Sequence, residues 1–186
     1  MKTINSITSL SITSFLLIAA INVLAGCTGK PDNVEPVTGL DLDRYLGTWY
    51  EIARLDHSFE RGLESITANY TMREDGGLRV LNRGYNIKDG EWEEIEGKAY
   101  FVEDPDQAHL KVSFFGPFYG SYIVFELEEN YRYAFISGPD TSYLWLLSRT
   151  PEVDQKVIDL FTERAGSLGF DTDKLIYVDH SYPKTQ

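Results

Sequence analysis

Cysteine is nearly absent from this chain: one residue, Cys27, in 186. A single thiol rules out an internal disulfide, so a folded domain here must hold together by packing alone. Basic residues are also few, 17 Lys and Arg against 29 Asp and Glu, for a formal net charge of −12. That balance disfavours nucleic acid and a basic patch gripping anionic headgroups. The histidines are His57, His109 and His180. No two lie at metal-ligand spacing, so no metal site is expected. His57 reads as a solvated or partner-facing loop residue. No Gly-x-Ser-x-Gly, Walker or dinucleotide fingerprint occurs. Glu91, Glu93, Glu94 and Glu96 read as a solvated strand face rather than a carboxylate pair for acid–base work. Nothing nominates a nucleophile, and an enzyme is not expected. Internal repeats are missing too.

What the chain does have begins at its N-terminus. Lys2 gives a short positive start, and Phe15-Leu16-Leu17-Ile18-Ala19-Ala20-Ile21 gives an apolar core. Small residues then crowd a cleavage point, the pattern of a secretory signal peptide. The run Leu24-Ala25-Gly26-Cys27 resembles the lipobox of bacterial lipoproteins. It implies removal of residues 1–26, lipidation of the Cys27 thiol and acylation of the new amine. Each buried methylene contributes roughly 0.8 kcal/mol, and two or more chains anchor stably. The competing reading keeps residues 7–26 as a membrane helix, which Asn22 and the clustered Ser and Thr make poor. Thr28 is not the Asp that retains such lipoproteins at the inner membrane, so outer-membrane delivery is implied.

Cleavage leaves 160 residues with a net charge of −13, enough for one domain. Residues 27–39 read as the lipidated Cys and a flexible tether: Pro31, Pro36, Gly29 and Gly39 argue against a packed segment. Fully extended, twelve residues reach on the order of 40 Å. The domain is expected over 40–182. Within it, alternating runs recur about every ten residues between turn signals. Strands are expected at 47–55, 65–73, 78–85, 92–102, 108–115, 121–128, 131–137 and 142–148. Eight consecutive strands, mostly joined by hairpins, can close into an up-and-down antiparallel barrel with no free edge. One helix should follow, with Thr150 as N-cap and Pro151 as first helical residue. Val153, Val157, Leu160, Phe161 and Leu168 would form its apolar stripe, and Gly169 its stop. A short final strand is expected at 174–178. The fold class is all-β with one C-terminal helix packed outside.

Gly47-Thr48-Trp49-Tyr50-Glu51-Ile52-Ala53-Arg54 resembles the Gly-x-Trp signature of lipocalins. Tyr143-Leu144-Trp145-Leu146-Leu147-Ser148-Arg149 is similar to that family's eighth strand, whose terminal Arg packs across the signature Trp at the closed end. Gly47, Trp49 and Arg149 are therefore the expected structural signature. The segments 56–62, 97–101 and 111–120 resemble the bacterial lipoprotein branch of the family. That resemblance implies a lipid-anchored outer-membrane protein, its domain in the periplasm, binding a fatty acid or lysophospholipid in membrane maintenance or transport. No cofactor is implied, and a homodimer is left open.

Strand alternation phased from Trp49 predicts which side chains line the cup. Glu51 and Ala53 should point inward on the first strand. Ala68 and Tyr70, then Val80 and Asn82, then Val112 and Phe114 follow on later strands. Ile123 and Phe125, then Tyr133 and Phe135, then Tyr143, Trp145 and Leu147 complete the expected ligand-binding set. A barrel of eight strands encloses just enough room for a small ligand. Two other readings stand beside it: a filled barrel whose outer surface does the work, and a carrier of a different small hydrophobe.

Overall fold

The computed structural model describes residues 28–183. The expected signal segment 1–26 and the expected lipid acceptor Cys27 lie outside the described residues. A one-turn helix α1 (Leu42–Tyr45) precedes eight strands: β1 (Gly47–Arg54), β2 (Leu63–Met72), β3 (Leu78–Asn86), β4 (Glu91–Phe101), β5 (His109–Ser113), β6 (Gly120–Leu127), β7 (Tyr133–Ser137) and β8 (Leu144–Ser148). Helix α2 (Gln155–Ser167), a 3₁₀ turn and the two-residue strand β9 (Ile176–Tyr177) follow. Each strand pairs antiparallel with its neighbour, and β1 pairs with both β2 and β8. The sheet is therefore a closed barrel, with β9 added beside the far end of β1. Among the described residues no helix is long and apolar enough to cross a membrane.

Two apolar cores result. The inner one fills the closed end of the barrel with Tyr45, Trp49, Tyr131, Val124, Ala134 and their neighbours. The outer one lies beneath α2 and joins Ile52, Ile123, Phe125, Phe135, Leu144 and Leu146 to Phe161 and Ala165. β6, β7, β8 and β1 thus bury both faces, one in the cup and one under the helix.

That sandwiching corrects four expectations. Ile123, Phe125, Tyr133 and Phe135 do not line the cup; they belong to the outer core, where Phe135 meets Phe161 edge to face at 5.0 Å. The inward residues of these strands are Tyr122, Val124, Ala134 and Ile136. With apolar residues on both faces, alternation carries no phase information, and the larger aromatics went to the helix side. A further correction concerns Ala53. The ladder between β1 and β8 shifts register between Glu51 and Ala53, and such a bulge reverses the alternation beyond it. Ala53 joins the outer core, while Arg54 is buried against Glu51.

The helix also begins later than expected. Its N-cap is Asp154 rather than Thr150. Thr150 is engaged locally: its backbone N–H donates to the Ser148 hydroxyl, and its own hydroxyl donates to the Glu152 carbonyl at 2.7 Å. Phe161 and Ala165 face the barrel, and Leu160, expected in the stripe, points to solvent. At the other end Gly169 adopts φ +89°, Phe170 N–H bonds the Ala165 carbonyl and Gly169 N–H bonds that of Gly166. This is a Schellman stop, in which glycine takes the left-handed position at little cost.

The segment before α1 is packed, contrary to expectation. Val34 is fully buried in the outer core. Val37 N–H donates to the Val124 carbonyl, the Val37 carbonyl accepts from Ala108, and Thr38 bridges to Gln107. Two valines supply the apolar burial that the prolines and glycines obscured, and backbone pairing satisfies the polar groups. Residues 34–39 are therefore laid along the barrel, which shortens the free reach of the tether.

Candidate functional site

The barrel has a closed end and an open one. At the closed end the Trp49 indole donates to the Tyr45 carbonyl at 2.8 Å. Arg149 lies over the Trp49 ring, 3.8 Å from its centroid. Its guanidinium also donates to the carbonyls of Thr48 at 2.9 Å and Arg44 at 2.6 Å. Gly47, which begins β1, sits beneath Arg149 with φ +90°.

Above this plug lies a cavity of about 350 Å³. Ala68, Tyr70, Val80, Asn82, Val112, Phe114, Tyr143, Trp145 and Leu147 all line it. Glu51, Tyr122 and Ile136 contribute as well. At the floor, the Tyr122 hydroxyl meets those of Tyr45 at 2.7 Å and Tyr70 at 3.0 Å. Burial pushes all three phenols up, Tyr70 to about 12. They stay neutral and satisfy one another, so the floor offers ring surface rather than charge.

Toward the open end the cavity meets a second chamber of about 550 Å³, bounded by Ile66, Ile95, Phe115 and Phe118 among others. Phe59, Glu60, Asn82, Phe114 and Gly120 border both chambers and form the neck between them. Phe114 lies there because β4 has Gly97 opposite it; a Cβ at 97 would sit 2.7 Å from the Phe114 ring. Phe59, Phe115 and Phe118 stand 61–74% exposed around this end.

One wall is polar, and sequence reasoning missed most of it. Arg54 donates to the Glu51 carboxylate at 2.9 Å and to the Glu60 carbonyl at 3.0 Å. All three residues are buried. Trp145 ties β8 to the same group by donating its indole N–H to Glu60 at 3.2 Å. Burial, and then the charge of Glu60, hold the Glu51 carboxyl well above the ordinary range; burial raises Glu60 too. Two carboxyls facing one guanidinium thus hold on to their protons to higher pH than exposed carboxyls do. The visible signal was Glu51 on the inward face of β1. The bulge that turns Arg54 inward and the loop that returns Glu60 leave no trace in the residue pattern.

His57 is not solvated, as its loop position suggested. Its ring stacks against Tyr143 at 4.7 Å and Phe59 at 5.3 Å, and packs on Trp145. Burial, with Arg54 nearby, lowers its pKa to about 4. The four β4 carboxylates are exposed; Glu94 and Glu96 pair with Arg83 and Arg79 on β3.

A closed eight-stranded barrel with an Arg-over-Trp plug, one flanking helix and an open apolar cup matches a known family. Residues 40–180 match the model of the lipocalin-like domain. The chain belongs to the lipocalin family. It is 61% identical over 165 residues to the outer membrane lipoprotein Blc of Vibrio cholerae, covering 88% of this chain and 96% of that one. Identity to the Escherichia coli K12 lipoprotein of the same name is 55% over 148 residues, covering 80% and 84%. Among solved structures, insecticyanin of the tobacco hornworm Manduca sexta superposes with a TM-score of 0.68 at 23% identity, covering 85% of this chain and 90% of its own. The chain is an outer-membrane lipoprotein of the bacterial lipocalins.

Proposed function

We propose that this lipocalin binds one acyl-chain lipid, a fatty acid or a lysophospholipid, with its tail in the inner chamber, and serves lipid storage or transport in membrane maintenance. The observation that carries the reading is the open apolar cavity of about 350 Å³ above the Trp49–Arg149 plug. Burial of ten methylenes contributes about 8 kcal/mol before the ligand's lost freedom is subtracted. A dissociation constant of about 1 μM corresponds to about 8 kcal/mol, so a mainly apolar cup suffices. The unfilled cavity favours this reading over a packed barrel acting through its outer surface. We read the protein as a binding protein rather than an enzyme.

Cys27 is the proposed attachment point, with the barrel in the periplasm. Cys27→Ser should abolish partition into the membrane fraction or stall processing; a processed, membrane-bound variant would overturn the anchor. Native mass spectrometry of the detergent-extracted protein, followed by organic extraction, tests the cargo. The expected result is one co-purified acyl lipid per barrel. A tetrapyrrole or isoprenoid in its place would contradict the acyl assignment.

A further inference from the structure

The neck between the chambers carries polar groups that the barrel itself does not use up. Among the described residues the Asn82 side-chain amide makes no hydrogen bond, and its Oδ1 is buried without a partner. The buried Glu60 borders the same two chambers. Arg54, the one cation in the group, lines neither chamber: Glu51 and Glu60 stand on the cavity side, with Arg54 bonded to both residues. The outer chamber repeats this balance, with Glu93 and Glu94 beside a single Arg83. Arg83 is itself engaged by Glu94 at 3.4 Å and by the Trp92 ring at 4.0 Å.

We propose that the neck is a subsite that reads the first polar group of the bound amphiphile, taking a hydroxyl against Asn82 and Glu60 and disfavouring a carboxylate. The inference rests on the cup being the binding site. A hydroxyl donates to the Glu60 carboxyl and pairs with the idle Asn82 amide, so both neck groups gain a partner. A carboxylate has no proton to give. It would face carboxyls in a site of low polarity, where like charges are costly.

The test is calorimetric titration of three probes with matched tails, 1-decanol, 1-methoxynonane and decanoate, at pH 7.5. Wild type, Asn82→Leu and Glu60→Gln are compared, each shown folded by circular dichroism. The alcohol should bind wild type about five- to tenfold tighter than the ether, which accepts but cannot donate, and the carboxylate should bind weakest. Asn82→Leu should close the gap between alcohol and ether, and Glu60→Gln should shrink the carboxylate's deficit. Should Asn82→Leu not fold, Glu60→Gln carries the comparison. Equal binding of alcohol and ether to wild type, or a carboxylate deficit unchanged in Glu60→Gln, overturns the subsite and leaves the cup intact. Binding of none of the three overturns the cup itself.

Discussion

Arg149 and Trp49, at opposite ends of the barrel sequence, meet at its closed end with 3.8 Å between guanidinium carbon and ring centroid. The contact joins the residue that follows β8 to the first strand, where β1 bridges β2 and β8. It therefore fastens the seam at which the sheet closes. The same guanidinium also donates to the carbonyls of Thr48 and Arg44, so one side chain holds the ring and two backbone segments together.

Arg149→Ala should destabilise the barrel by about 2–3 kcal/mol, through the lost cation–π contact, the uncovered Trp49 ring and the two lost hydrogen bonds. In a domain of this size that lowers the melting temperature by roughly 4–12 °C. Thermal unfolding followed by circular dichroism measures it. A wild-type melting temperature would mean that the plug does not hold the closed end.

His57 gives a pH dependence of definite sign. Its pKa falls from 6.5 to about 4 on folding, so between these values the unfolded chain binds more protons. The stability from the neutral, stacked ring is full above pH 6.5 and is lost as pH falls toward 4. Glu51 and Glu60 act oppositely: their raised pKa values make their contribution greatest at low pH, and it is lost as pH rises. The variant His57→Phe isolates the histidine. Between pH 6.5 and 4.5 wild type should lose roughly 1–3 kcal/mol relative to this variant. Parallel melting curves across that range would show that the imidazole titrates freely.

Trp145 touches both the cavity and the polar wall. Its removal in Trp145→Ala takes away a large apolar contact, and acyl-lipid affinity should fall by about 1–3 kcal/mol, roughly ten- to a hundredfold. Trp49 sits in the plug and Trp92 lies partly exposed against Arg83. The emission change on ligand addition should therefore come from Trp145 and vanish in Trp145→Phe. A full response in that variant would place the ligand elsewhere.

The strands were legible because turn chemistry and alternation agree along β2 to β5, where one face meets solvent. The plug was legible because Gly47, Trp49 and Arg149 fall at recognisable places in the chain. Alternation failed where α2 covers the barrel: Ile123, Phe125, Tyr133 and Phe135 are as apolar as the residues that face the cup. The Glu51–Arg54–Glu60 wall was hidden for another reason. A bulge and a loop create it, and neither has a periodic signature. Val34 and Val37 show the same limit at the N-terminus, since two apolar residues in a Pro- and Gly-bearing segment suffice to dock it.

The central claim, that an acyl chain occupies the inner chamber, is tested most directly by filling that chamber. Ala68 lines it from β2, paired with Trp49 on β1 and Asn82 on β3. Ala68→Trp should place an indole where the tail would lie, at an overpacking cost of about 1–3 kcal/mol that the open space reduces. Titration of a fluorescent lysophospholipid into wild type and this variant, both folded by circular dichroism, is the measurement. Saturable binding to wild type at about one site per barrel, weakened at least tenfold in Ala68→Trp, is the predicted result. Equal affinity in the two folded proteins would contradict it.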